Sequence, residues 1–65
     1  MKGDKKEIIL SMAKNDLSTT RVSRELHRHR NTVIYWIEKI KNETGLDARK
    51  FYDLVKLVGM VEENG

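Results

Sequence analysis

The chain has 65 residues, 0 cysteines and 0 prolines, with a formal charge of +3 and a pI near 9.4. A chain this short makes one small domain, residues 1–65. It buries only roughly 60% of the surface its unfolded form exposes, and without disulfides its stability must come from tight helix packing or self-association. The longest apolar runs, at 8–10 and a broken one over 54–61, fall short of the ~20 residues that span a bilayer, and no signal peptide opens the chain; the expectation is a soluble, cytoplasmic protein.

Four helices and no strand are predicted, an all-α fold. The first covers about 4–14. Asp4 stands as its N-cap with Glu7 three residues on, the spacing of a capping box. Ile8, Ile9, Met12 and Ala13 supply one apolar stripe. The stretch NDLSTT (15–20) then stops the helix, with Leu17 as an apolar pin and several candidate caps.

The second helix is short, about 20–27, with Val22, Ser23 and Leu26 directed inward. Ser23 is small enough to let another helix cross closely. The third runs over about 30–43. Val33, Ile37 and Ile40 share its buried face. Gly45 supplies a left-handed C-terminal residue and Leu46 the apolar contact that usually accompanies it.

The fourth helix is predicted over about 47–60, with Asp47 as N-cap and Phe51, Leu54, Val55 and Val58 as the inner stripe. Leu57, Met60 and Val61 exceed what one small core needs. The core thus spans about 4–60, and 61–65 reads as a frayed tail.

Charge is unevenly placed. Residues 18–41 hold Arg21, Arg24, Arg28, Arg30, Lys39 and Lys41 against Glu25 and Glu38, a net of +4, whereas the rest of the chain nets −1. A positive field concentrated in the middle third is where a nucleic-acid footprint is to be sought.

A short helix, a turn of about three residues and a longer helix that starts among basic residues form the helix-turn-helix layout. The residues are more specific than the layout. His29-Arg30-Asn31-Thr32-Val33, then Tyr35, Ile37-Glu38-Lys39-Ile40 and Thr44-Gly45-Leu46-Asp47 resemble the PucR-type C-terminal helix-turn-helix domain over roughly 16–60. That resemblance implies a Fis-like DNA-binding fold and a bacterial transcription factor. Arg28, at a turn position usually apolar, and Trp36, at one usually Arg, depart from the pattern. Members usually carry the domain on a large sensory region, which these 65 residues do not include, so no ligand sensing is implied.

With His29 as N-cap of the third helix, the first-turn amides point outward with a partial positive charge that suits a phosphate. Recognition helices read bases mainly with their N-terminal residues. Arg30, Asn31, Thr32 and Tyr35 are therefore the base-facing candidates: Arg suits guanine and Asn suits adenine in the major groove. Thr19, Thr20, Arg21, Arg28, His29 and Lys39 are the phosphate candidates. Plainer roles compete: Asn31 and Thr32 as cap residues, Tyr35 packed on the second helix, Trp36 half-buried against the first or fourth.

His27 and His29 lie two apart at a turn, a poor spacing for one metal, and no cofactor or metal is expected. With no glycine-rich phosphate loop and too little chain to enclose a substrate pocket of ~300 Å³, an enzyme is not expected. The expected partner is double-stranded DNA, bound by a sequence-specific regulator. The expected homodimer pairs through the fourth helix at Leu57, Met60 and Val61. Two alternatives stay open: a DNA-bending accessory of recombination or of a mobile element, and a protein-interaction module without DNA binding.

Overall fold

Ile8, Ile9 and Met12 recur at the spacing of one helical face, and that face is fully withdrawn from solvent. The computed structural model describes residues 3–64, with side chains through Glu62. They form α1 (Gly3–Lys14), α2 (Thr19–Glu25), α3 (Arg30–Thr44) and α4 (Phe51–Asn64), with no strand among the described residues. The all-α reading holds. α1 packs on α2, α3 and α4, and α2 also packs on α3. One core joins α1 to Val22, to Val33, Ile37 and Ile40 of α3, and to Ala48, Leu54, Leu57 and Val61.

Helix ends are set by local chemistry. Asp4 lies inside the first turn of α1 rather than at its N-cap. At the other end, the Leu17 amide donates to the Met12 carbonyl at 2.9 Å, with Asp16 and Leu17 both at positive φ. This 6→1 bond closes the helix and brings Leu17 against the core. The Ser18 side chain caps α2 by accepting the Arg21 amide at 3.2 Å. α2 ends in a Schellman motif: Arg28 N–H donates to Ser23 C=O at 2.9 Å and His27 N–H to Arg24 C=O at 3.3 Å. His27, at φ 53°, holds the left-handed position that glycine usually takes.

Gly45 caps α3 at φ 76°, donating its N–H to Lys41 C=O at 2.7 Å. The following residues differ from expectation. Asp47 does not cap α4. Its carboxylate accepts the Arg49 amide at 2.9 Å and its carbonyl accepts the Lys50 amide at 3.0 Å, closing a separate turn. Asp53, in the first turn of α4, reaches back to accept the Asp47 amide at 3.1 Å. These bonds fix the rotation at which α4 leaves the turn.

That rotation buries Leu54, Leu57 and Val61 and exposes Phe51 and Val55, which are 63% and 53% accessible. The inner stripe thus runs 54, 57, 61 instead of 51, 54, 55, 58. α4 is apolar around most of its circumference, so periodicity alone could not choose the buried side. The predicted dimer seam is overturned for the same reason: Leu57 (0%) and Val61 (2%) belong to the chain's own core. Only Met60 of the three stays at the surface. α4 also continues to Asn64, past the predicted end near 60.

Candidate nucleic-acid interface

α3 starts at the cap predicted for it. His29 has the extended conformation of an N-cap, and its Nδ1 accepts the Asn31 amide at 3.0 Å. The ring's Nε2 is left as the outward donor. The His29 carbonyl takes the Thr32 and Val33 amides at 2.9 and 3.2 Å. Most first-turn amides of α3 are therefore satisfied within the chain, and Arg30 holds the amide with no internal acceptor among the described residues. The tip is a weaker anion cradle than the sequence suggested. What it offers are side chains: His27, Arg28, His29, Arg30 and Asn31 are all exposed.

Of the four base-facing candidates, Arg30, Asn31 and Tyr35 lie at the surface, Tyr35 being 58% accessible. Two residues of α3 itself, Trp36 and Lys39, lie against Tyr35. Its ring meets Trp36 edge-on, with centroids 5.5 Å apart. Thr32 is placed differently. It is half-buried and lines a crevice with Asp4 and Ile8 of α1 and with Leu26 and Trp36. Trp36 is itself half-buried there, against the first helix.

The phosphate candidates also divide. Arg28 reaches Asp4 at 3.7 Å, and Arg21 reaches Asp16 at 3.9 Å. Both pairs are exposed, hence weak and easily exchanged for another anion. The Lys39 ammonium lies 5.9 Å from the Tyr35 ring centroid and 5.7 Å from that of Trp36, a cation–π placement that steadies it along α3. Thr20 is exposed and Thr19 half-buried at the start of α2.

Two basic residues were not singled out from the sequence. Arg24 is exposed and, among the described residues, makes no ion pair. Its place in the charged middle third was the available signal. Arg49 was invisible because its role depends on the 47–50 turn. One guanidinium nitrogen bonds Glu38 of α3 at 2.8 Å and another bonds Asp47 at 3.1 Å. Burial works to raise the Asp47 carboxyl, but the bonds from Arg49 outweigh it and hold that group below its usual range. The Asp47 bond leads in raising Arg49 above its ordinary value.

α3 carries one other described carboxylate, Glu43, and it is bonded by Lys5 of α1. Both acidic side chains of α3 are thus matched to cations from other elements, while Arg30, Lys39 and Lys41 form no salt bridge among the described residues.

No cluster of histidine and carboxylate suited to a metal occurs among the described residues, and no described helix is long and apolar enough to cross a membrane. The chain does form an open apolar groove of about 390 Å³, lined by Met12, Leu17, Phe51, Leu54, Val55 and Val58 among others.

A short capped helix, a Schellman turn and a longer helix with a basic, solvent-facing start define a helix-turn-helix domain. The chain matches the family model of the PucR C-terminal helix-turn-helix domain over residues 7–59, and it belongs to that family. Neither a curated protein nor a solved structure matches it. Family membership points to a DNA-binding transcription regulator, in a family that is typically non-enzymatic.

Proposed function

We propose that this protein binds double-stranded DNA sequence-specifically in the cytoplasm as a transcription regulator, with α3 in the major groove. One observation carries the reading: the start of α3 presents Arg30, Asn31 and Tyr35 to solvent, and Arg30 has no carboxylate partner among the described residues. Asn31 suits adenine and Arg30 suits guanine. Lys39, Arg21, Arg28 and His29, with Thr19 and Thr20 beside them, supply phosphate contacts that set register. Thr32 supports the geometry from the α1 crevice and reaches bases less directly than its neighbours.

The proposed active form is a two-fold dimer. One α3 offers few base contacts, and two recognition helices ~34 Å apart read a palindromic site. The surface that suits a second copy is the outer face of α4. There Tyr52, 80% accessible, projects beside the open groove that Phe51 and Val55 border. A projecting ring and a receiving groove on one patch are what a self-complementary contact requires. At roughly 200 Å² per ring, the exposed fractions of Phe51 and Tyr52 leave about 290 Å² open. That is over a third of the ~800 Å² each partner buries in a standard interface.

The test is the affinity for a mixed-sequence duplex as salt rises. Six or more phosphate contacts lower it by ~10³-fold or more between 50 and 200 mM salt. A response that stays flat assigns the fold to protein interaction instead.

A further inference from the structure

We infer that Arg49 is a positioning residue for the DNA-facing side of α3, acting through Glu38; this rests on the DNA-binding reading above. Glu38 follows Asn31 by seven residues, two helical turns, so both side chains leave α3 in nearly the same direction. The separation along the axis is only about 10 Å. Within that distance of a duplex, a free carboxylate repels the phosphates that the neighbouring cations attract.

The structure removes that conflict from outside the helix-turn-helix unit. Arg49 lies in the turn between α3 and α4. Its Nη2 donates to Glu38 Oε1 at 2.8 Å and its Nε to Asp47 Oδ1 at 3.1 Å, with Nη2 also 3.4 Å from Asp47 Oδ2. Asp47 is buried, and the Arg49 backbone amide also donates to it at 2.9 Å. The planar guanidinium is thus held along its Nε–Nη2 edge by a buried carboxylate, and Nη2 also donates to Glu38. A lysine's single nitrogen lacks the planar fork that holds Asp47 through two nitrogens while reaching Glu38. Lys50, exposed on the same turn, makes no ion pair among the described residues and serves as an internal control.

The inference predicts coupling between two charges rather than a sum of charges. The probe is a mixed-sequence duplex about two helical turns long, titrated at low and at moderate salt. Arg49→Ala should weaken binding by ~3–10-fold at low salt, more than Lys50→Ala, which removes the same charge from the same turn. Glu38→Gln should do little in the native chain, because that carboxylate is already matched, but should restore most of the loss in the Arg49→Ala background. Arg49→Gln keeps a donor for Asp47 and repeats the experiment if Arg49→Ala unfolds; circular dichroism monitors folding throughout. Equal losses for Arg49 and Lys50 variants, or an equal Glu38→Gln gain in both backgrounds, overturn the inference. Absence of duplex binding by the unaltered chain overturns the DNA-binding reading and this inference with it.

Discussion

His29 and Asn31 are joined by a single bond, imidazole Nδ1 accepting the Asn31 amide at 3.0 Å. The residue that caps α3 therefore also anchors the backbone of Asn31, one of the outward side chains at its start. Serine is a better N-cap than histidine in general. His29→Ser should leave thermal stability unchanged or slightly higher while weakening duplex binding about equally at all sequences, since the outward ring donor is lost. His29→Ala should in addition cost about 1 kcal/mol of stability. Thermal melts paired with titrations separate the two effects.

His27 occupies the left-handed position of the turn at φ 53°. A non-glycine residue there carries roughly 1–2 kcal/mol of strain, part of which glycine forfeits through its own unfolded-state entropy. His27→Gly should raise stability by about 0.5–1 kcal/mol, measured by urea unfolding. Unchanged or lower stability would mean that the imidazole has a stabilising contact which the turn geometry does not explain.

Sedimentation equilibrium tests the second copy. The native chain should be dimeric at concentrations on the order of 0.1 mM, a modest affinity. Tyr52→Ser should shift it to monomer without loss of helix, because Tyr52 is 80% accessible and leaves no cavity. A native chain that stays monomeric with and without duplex removes the proposed dimer. Leu57→Ala serves as contrast: that side chain is in the core, so the variant should lose about 2–5 kcal/mol of stability.

Acid should loosen the contacts that tie α1 to α2 and α3 to α4. Hydrogen bonds from Ser11 and Asn15 lead in holding the Glu25 carboxyl below its usual range, and the Arg49 bonds lower Asp47 against the opposing effect of burial. A carboxyl with a depressed folded pKa stabilises fully above its unfolded value, 4.5 for Glu25 and 3.8 for Asp47. That stability is lost as pH falls through the folded value. Unfolding midpoints should thus drop below about pH 4, and Asp47→Asn should flatten part of that decline. An unaltered acid limb in Asp47→Asn would show that the turn does not depend on the charge.

The helix-turn-helix unit was legible because its signals are local. Val33, Ile37 and Ile40 share one phase, His29 caps and Gly45 terminates, and each of these is readable within a few residues. α4 was not, since a helix apolar on nearly every side takes its rotation from the Asp47–Asp53 bond of the preceding turn. Leu57 and Val61 were accordingly read as surface although they lie in the core, and Phe51 and Val55 the reverse. Arg49 escaped notice for a related reason: its partner Glu38 is eleven residues away, across a turn whose path no periodicity describes. The half-burial of Thr32 likewise depends on how α1 crosses α3.

Selection from a pool of random duplexes, run on the native chain and on Asn31→Ala and Lys39→Ala, tests most directly whether the start of α3 reads bases. The native chain should enrich one short motif with two-fold symmetry. Asn31→Ala should relax preference at one base pair per half-site, at a cost of ~1–3 kcal/mol, and Lys39→Ala should keep the motif while weakening every site alike. An identical motif from Asn31→Ala, enriched to the same degree, contradicts the reading.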